Sequence, residues 1–470
     1  MKGYKNRIER CCSLLALMLC CAVAFAATST VHIKSVTGIN KMFGDGMKMA
    51  AVALEYDCAI STSSLKPSCF ALSTDKKITR VYANDDVALD QQGKGKNGRY
   101  VIIELSTDYQ LPVPSIAFSD VKKHERWKRE GKKLPHLEVK NVLKDVIAFR
   151  GNPAAHPSIS LSSKHGGNGE DISVRQITDI MDTKGLAVPA DSEWVDNVKN
   201  MNLVLDDFAK PDFMDPKRGE VTKFDIFLPY DYDASKKYPL VLYLEDEYSC
   251  ANQHDAPLTE GLGAVIWATP EEQSRQPSIV LVPVLKNNVA DTAYHVNADF
   301  SAIPNLLDTI ENLYHVDRSR VYLVGQSLGA RAALALQERY PHRFAASLLV
   351  SGAWNPATAS RLKDEHLLFV AADADSDTKA EVTAYIKQLK KAGAKASSKT
   401  VDMGQAHETV DGDISLLTEN SANVKCLLMK AGTIVPKGIP DNALSNKTYT
   451  WRLVYQYASV RNWLFKQVLK

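Results

Sequence analysis

The stretch of clearest chemical interest is residues 325–329, which read Gly-Gln-Ser-Leu-Gly and form a G-x-S-x-G motif. A β-branched and aliphatic run at 321–324 precedes it, and a helix-forming run at 331–336 follows. This order predicts a buried strand, a tight turn and a helix, with Ser327 strained at the positive end of the helix. The two glycines would let strand and helix approach closely. The pattern predicts a nucleophilic serine; the alternative is an ordinary strand-to-helix turn.

The elements that would position Ser327 alternate along the second half of the chain. Apolar runs predict strands at 202–205, 223–228, 239–244, 278–282, 344–350, 367–370 and 399–403. Helical spacing predicts helices at 303–313, 378–391 and 455–468. Such alternation is typical of a parallel sheet with helices on both faces.

The first half has a different pattern. Short β-type runs lie at 49–56, 69–72, 78–82 and 100–105, and turn residues separate them. This punctuation favours a β-sandwich. A basic run at 122–133 is interpreted as a solvated insertion rather than a site for an anionic polymer.

The N-terminus has the pattern of an export signal. Four basic residues precede an apolar stretch at 11–25, and Ala-Phe-Ala at 24–26 fits a cleavage site. We therefore expect a signal peptide at 1–26, a mature chain without a membrane span, and a secreted or cell-surface protein. A lipoprotein and an uncleaved anchor are the weaker alternatives.

Charge and cysteine content limit the partners. The chain has 57 Lys and Arg against 55 Asp and Glu, and loss of four basic residues and Glu9 with the signal would leave a charge of about −1. Nothing in this balance indicates a nucleic-acid partner.

Cys58 and Cys69 could form a disulfide after export or stay as two free thiols. Their spacing to histidines does not fit a zinc site, and no metal or organic cofactor is expected.

Several segments resemble one known family. They are 54–56, 78–82, 101–105, 204–208, 237–244, 261–268, 277–283 and 320–327. These are similar to the secreted "predicted peptidase" esterases, α/β-hydrolases related to the feruloyl-esterase and phospholipase/carboxylesterase group, many of which carry an immunoglobulin-like N-terminal domain. The resemblance implies a signal peptide at 1–26, an immunoglobulin-like β domain with a basic insertion and linker at 27–200, and an α/β-hydrolase domain at 201–470.

The resemblance also implies a Ser-acid-His order for a catalytic triad. The acid should follow the predicted strand at 367–370, where family spacing favours Asp375, with Asp373 and Asp377 as rivals. A helix cap is the alternative role for these carboxylates.

The histidine is harder to place. His407, in a loop after a short strand, is the preferred base, ahead of His342 and His366. The family usually has its histidine just before the last helix, where this chain has Lys447. Either His407 acts as the base or the triad is broken.

The oxyanion hole should combine the backbone N–H of Leu328 with the loop after the strand at 239–244. That loop reads Glu245-Asp246-Glu247, and three carboxylates beside an oxyanion are unfavourable unless they turn away or are paired.

Two functions follow from these residues. The first is a serine hydrolase acting on carboxylic esters through Ser327, His407 and Asp375, with acyl or feruloyl esters of polysaccharides as candidate substrates. The second is a catalytically impaired relative that binds a glycan or cell-surface partner. A purely structural surface protein would not explain the intact G-x-S-x-G motif.

Overall fold

The computed structural model describes residues 32–90, 94–107, 147–149, 171–191, 193–246, 256–285 and 288–469. The predicted signal peptide, the basic run at 122–133, Glu247 and Cys250 lie outside these residues. Within the described ranges, no helix is long and apolar enough to cross a membrane.

The N-terminal half is built from short strands. They are β1 (Ile33–Phe43), β2 (Gly46–Ile60), β3 (Phe70–Leu72), β4 (Ile78–Asn84), β5 (Gly98–Leu105), β6 (Ile147–Phe149), β7 (Ser173–Gln176), β8 (Ile180–Met181), β9 (Ala187–Val188) and β10 (Val195–Asn202). Seven of them form one sheet in the order β3-β7-β10-β1-β2-β5-β4, and β8 pairs with β9. All four strands predicted between residues 49 and 105 are present, and each alternates or buries its apolar side chains as a β domain requires.

The C-terminal half contains a ten-stranded sheet. Its further strands are β11 (Pro211–Asp215), β12 (Glu220–Phe227), β13 (Tyr238–Leu244), β14 (Ile279–Val284), β15 (Val316–Gln326), β16 (Ala346–Val350), β17 (Leu367–Ala372), β18 (Ala396–Val401) and β19 (Val424–Met429). The order is β18-β19-β17-β16-β15-β13-β14-β12-β11-β6. Strands from β18 to β14 pair in parallel, and the other three pairings are antiparallel. β6 joins this sheet although its residues fall within the range predicted for the first domain.

Helices cover both faces of the large sheet. They are α1 (Ala256–Thr259), α2 (Leu262–Val265), α3 (Pro270–Arg275), α4 (Ala302–Leu313), α5 (Leu328–Arg339), α6 (Ser376–Lys391), α7 (His407–Thr418), α8 (Ala443–Val454) and α9 (Ala458–Lys466). Side chains of α4, α5 and α6 form one core with one face of the sheet. Those of α2, α7, α8 and α9 form a second core on the other face. The central strands are apolar throughout because both of their faces are buried.

The second core also joins the two halves of the chain. Ile39, Tyr82 and Ile102 of the N-terminal sheet pack in the same buried cluster as Phe227 and Trp267 of the C-terminal half. Burial of this shared apolar surface stabilises the two sheets against each other.

Two predicted elements differ from the structure. The strand predicted at 202–205 is instead a turn that follows Asn202, because Asp206 accepts a hydrogen bond from the backbone N–H of Asn202 at 2.9 Å and Val204 takes a φ of 72°. The helix predicted at 455–468 begins three residues later, as α9 (Ala458–Lys466), and a break at residues 455–457 separates it from α8, which was not predicted. The Arg461 guanidinium, which donates to the Tyr455 carbonyl at 2.6 Å, holds this break.

Of the two alternatives for Cys58 and Cys69, a disulfide or two thiols, the structure has the thiols. Cys58 is half-buried and Cys69 is buried, and both are free. The stability of the N-terminal sheet therefore comes from its core, not from a cross-link between these two residues.

Candidate active site

Ser327 occupies a sharp turn between β15 and α5. Its backbone has φ 53° and ψ −112°, a region that non-glycine residues avoid, and the side chain is 3% exposed. The Ser327 N–H donates to the Val350 carbonyl at 2.8 Å, which fixes the turn to the neighbouring strand β16. The residue stands at the N-terminus of α5, where the helix dipole favours negative charge. This is the backbone that the G-x-S-x-G motif predicts.

The flanking glycines are required by close backbone contacts. A Cβ on Gly325 would lie 2.5 Å from the Gly329 carbonyl oxygen. A Cβ on Gly329 would collide with the Leu244 carbonyl and lie 2.5 Å from that of Glu245. The turn therefore lies directly against the end of β13, where the loop for the oxyanion hole was predicted.

Asp375 lies at the same edge of the sheet. It follows β17, which is separated from β15 by β16 alone, and the carboxyl ends of parallel strands share one edge. Its Oδ1 caps α6 by accepting from the Thr378 N–H at 3.2 Å. Its Oδ2 is buried and accepts no hydrogen bond in the described part of the chain. One carboxylate oxygen of Asp375 thus stabilises the start of α6, and the other makes no hydrogen bond to the described residues.

The two rival carboxylates are placed differently. Asp373 forms an ion pair with Lys379 at 2.5 Å, and Asp377 is exposed on the first turn of α6. Of the three, Asp375 is the buried one.

His407 is the first residue of α7 and follows the edge strand β18. Its imidazole stacks on Tyr457, with ring centroids 4.9 Å apart and planes 10° apart. β18 is four strands away from β15, a lateral separation of roughly 19 Å at the usual strand spacing. No hydrogen bond among the described residues joins His407 to Ser327 or Asp375. The structure therefore brings Ser327 and Asp375 to one edge and gives His407 a hydrogen bond to neither of them within the described residues.

The other histidines do not replace it. His342 pairs with Glu365 at 3.1 Å and is exposed, at the far end of α5 from Ser327. His366 directly precedes β17, so it lies at the opposite edge of the sheet from the ends of the strands.

The loop after β13 carries two buried carboxylates. Glu245 is 4% exposed, and its Oε1 accepts from the Leu285 N–H at 3.2 Å, so the side chain is directed toward the end of β14. Asp246 is 1% exposed. The backbone of this loop adjoins Gly329, and Leu328, the first residue of α5, has an N–H without an acceptor inside the helix. Both groups remain predictions for the oxyanion hole.

A cluster of buried polar side chains surrounds Gln326, the residue before Ser327. The hydroxyls of Tyr243 and Tyr455 lie 3.4 Å and 3.5 Å from Gln326 Oε1. Burial, together with the nearby Asp246 and Glu245 carboxylates, raises the pKa of Glu260 to about 8. This cluster was missed from the sequence, because Gln326 is an unrestricted position of the motif.

Residues 351 and 352, which follow β16, pack against the turn that carries Ser327. A Cβ on Gly352 would lie 2.5 Å from the Ser327 carbonyl oxygen, and Ser351 has a φ of 56°. The Ser351 hydroxyl donates to the Lys447 carbonyl at 3.3 Å, which ties α8 to the turn. No residue pattern in the sequence predicts a positive φ at Ser351, so its contact with Lys447 was also missed.

No group of three or more His, Cys, Asp or Glu side chains in the described ranges is arranged to hold a metal ion. The site is composed of a hydroxyl, a carboxylate and backbone amides.

Comparison with known proteins agrees with this architecture. Residues 35–186 match the esterase Ig-like N-terminal domain, and residues 217–408 match the family described as "Putative esterase". A search of curated proteins finds no match.

A thermostable esterase of known crystal structure has a TM-score of 0.68 and 22% identity, over 93% of this chain and 100% of its own. That likeness shows the fold. A feruloyl esterase module from Clostridium thermocellum, complexed with sinapinate, has a TM-score of 0.35 and 12% identity, over 53% of this chain and 87% of its own, too low to carry an argument. The two family matches, in this order along an α/β-hydrolase fold, place the chain among the serine esterase-like hydrolases with an N-terminal immunoglobulin-like domain.

Proposed function

We propose that this hydrolase cleaves carboxylic esters by nucleophilic attack of Ser327, with Asp375 as the carboxylate of its triad. The observation that carries the proposal is the strained Ser327 backbone at the N-terminus of α5, wedged against β13 by Gly329. Such strain is stable only where the surrounding fold imposes it, and it is concentrated at functional sites. The unpartnered, buried Oδ2 of Asp375 supports the second assignment.

The backbone at the turn supports an oxyanion hole. A helix N-terminus and the adjoining loop of Glu245 and Asp246 could direct N–H groups at the developing negative charge. Loss of one such donor typically lowers kcat by about 10²–10³-fold. The buried positions of both carboxylates keep them from lying open beside the substrate oxygen.

The finer substrate class is an acyl or feruloyl ester attached to a polysaccharide, encountered outside the cytoplasm. The basic leader at residues 2–10 and the Ala-Phe-Ala at 24–26 support export. N-terminal sequencing of the mature protein should begin near Ala27.

His407 is the sequence prediction for the base, and the structure gives that role no geometric support. The lack of a hydrogen bond, among the described residues, from His407 to Ser327 or Asp375 favours the competing function, an impaired hydrolase that binds a glycan or a cell-surface partner without turnover. Turnover distinguishes the two functions.

The test is hydrolysis of p-nitrophenyl acetate and methyl ferulate by the purified mature chain. We expect turnover that Ser327→Ala abolishes and that Ser274→Ala, at an exposed serine on α3, leaves unchanged. Equal rates in the two variants would contradict the assignment of Ser327. Absence of turnover in the unmodified protein would favour the binding function.

A further inference from the structure

We propose that Lys447, rather than His407, supplies the general base, so that the site works as a serine–lysine pair completed by Asp375. This inference rests on the proposed hydrolysis at Ser327 and deepens it by naming the group that receives the proton.

The first support is the position of α8 against the turn. Gly352 approaches the Ser327 carbonyl so closely that a Cβ would lie 2.5 Å from it. The preceding residue, Ser351, donates its hydroxyl to the Lys447 carbonyl at 3.3 Å. The backbone of Lys447 is therefore hydrogen-bonded to Ser351, the neighbour in sequence of the residue that adjoins Ser327.

The second support is that α8 also reaches the side of the site that contains Asp375. α8 packs against β17 and α6, and Asp375 is the last of the three residues, 373–375, that join these two elements. Ser351 is bonded to the same strand, through its N–H to the Val370 carbonyl at 2.9 Å. α8 thus packs against the elements on either side of Asp375 and is hydrogen-bonded, through the Lys447 carbonyl, to the residue before Gly352.

The third support is the helix face on which Lys447 lies. It stands one turn before the buried Trp451 and beside the buried face of Asn446, Thr450 and Val454. Its side chain is partly buried and forms no ion pair within the described residues. An amine at this position is not committed to an ion pair elsewhere in the described part of the chain.

The fourth support is the carboxylate. Asp375 Oδ2 is buried without a hydrogen-bond partner, so the fold has not satisfied a group whose desolvation is costly. An ammonium formed by proton transfer would give this oxygen a partner of opposite charge. The charged groups around the start of α6 are the Asp373–Lys379 ion pair and Asp377, and further along α6 Glu381 pairs with Arg331, followed by Lys387, Lys390 and Lys391. Asp441 precedes α8, and Arg452 lies in its last turn. α2 contributes no titratable side chain, although Glu260 lies just before it.

The reaction balances with these groups. The neutral Lys447 amine takes the Ser327 proton as Oγ bonds to the ester carbonyl carbon, and the carbonyl electron pair moves to oxygen. Collapse of this oxyanion breaks the bond to the alkoxide, which takes the proton back from the Lys447 ammonium. A water then attacks the acyl-serine by the same sequence and releases the acid, with the serine hydroxyl restored.

A lysine base differs from a histidine base in its pH response. Aqueous lysine becomes neutral only in alkaline solution, whereas imidazole is neutral above about pH 6.5. The test is kcat/KM for p-nitrophenyl acetate between about pH 6 and 10. We expect the rate of the unmodified protein to rise through the alkaline range, and Lys447→His to move the rise toward neutral pH with at least about a tenfold gain at pH 7.

Further variants separate a chemical from a structural role. Lys447→Met keeps the apolar stem and should lower the rate at about pH 9–10 by about 100-fold or more, with unchanged thermal unfolding. Lys437→His, at an exposed lysine in the loop before α8, should leave the profile unchanged. His407→Phe should retain turnover.

The outcomes are distinguishable. A Lys447→Met profile equal to that of the unmodified protein, or loss of turnover in His407→Phe, would overturn the lysine base and leave the Ser327 hydrolase intact. Absence of Ser327-dependent turnover at every pH would overturn both.

Discussion

The Gly329 Cα lies so close to the end of β13 that a single added methyl group would overlap the backbone carbonyl of Glu245. The added Cβ would lie 2.5 Å from that oxygen and would also collide with the Leu244 carbonyl. Neither atom belongs to a flexible side chain. The turn that carries Ser327 and the loop predicted for the oxyanion hole are therefore one packed unit, in which a change on one side displaces the other.

Gly329→Ala should consequently disrupt both stability and turnover. Overpacking of this kind typically costs about 1–3 kcal/mol, and displacement of the loop should lower kcat at least about tenfold. The matched control is Gly412→Ala in α7, where an added Cβ meets nothing within 4 Å. That variant should be more stable by about 0.5–1 kcal/mol. Urea unfolding of the two variants is the measurement, and equal stabilities would contradict the close contact.

A buried ion pair should be the main stabiliser of the break between α8 and α9. Arg461 and Glu272 lie 2.8 Å apart at 4% and 2% side-chain exposure, and Arg461 also donates to the Tyr455 carbonyl. Removal of one partner of a buried pair typically costs about 3–5 kcal/mol when the other charge is left without a partner. Glu272 keeps a contact with the half-exposed Arg275 at 3.3 Å, so Arg461→Met should lower the free energy of unfolding by less than that amount.

The double variant provides the control for this prediction. Arg461→Met combined with Glu272→Gln removes both charges, so it should be more stable than Arg461→Met alone. A double variant whose loss equals the sum of the two single losses would show that the pair is not coupled.

Glu260 should make the fold sensitive to alkaline pH. Burial, with Asp246 and Glu245 nearby, raises its pKa from 4.5 to about 8 in the folded chain. A carboxyl whose folded pKa exceeds its unfolded pKa binds more protons when folded. Its contribution is fully present below about pH 4.5 and is lost as the pH rises through about 8.

Glu260→Gln removes this dependence. The melting temperature of the unmodified protein should fall between about pH 6 and 9 by more than that of Glu260→Gln, with Glu408→Gln, at an exposed glutamate on α7, as the control. If Glu260→Gln and Glu408→Gln lose the same number of degrees, the buried carboxyl does not govern the transition.

The imidazole of His407 should act through packing. Its stack on Tyr457 joins the first turn of α7 to the start of α9. His407→Phe preserves an aromatic face there, whereas His407→Ala removes it, so the alanine variant should be less stable by about 0.5–1.5 kcal/mol. The two variants are compared by their thermal unfolding and by their esterase activity, both measured at one pH. A phenylalanine variant that folds normally but loses turnover would restore His407 to the triad.

The sequence predicted the sheet and the turn because both depend on local residue patterns. Continuous apolar runs identify strands such as β13 and β17, since both faces of each are buried. The two glycines around Ser327 are required by backbone contacts that any chain with this turn must make. Local pattern placed a carboxylate after the buried strand β17, whereas the choice of Asp375 over Asp373 and Asp377 came from the family resemblance, and its role in a triad stays a prediction.

What the sequence could not predict depends on tertiary contacts. The break after α8 has no proline or glycine to mark it and is held by Arg461, a residue from the following helix. The positive φ of Ser351 arises from its contacts with β17 and Lys447. The position of His407 follows from the strand order β18-β19-β17, which places a later strand between two earlier ones. The sequence predicted a loop at His407, which instead begins α7, and that context gave no information about its neighbours in the fold.

The most direct test of the Ser327 nucleophile is covalent labelling of the purified chain with a fluorophosphonate at about pH 9, read by intact mass and peptide mapping. The account predicts one adduct per chain, located on the peptide that contains Ser327, and absent from Ser327→Ala but present in Ser274→Ala. An adduct on any other residue, or an unmodified mass after prolonged exposure, would contradict it.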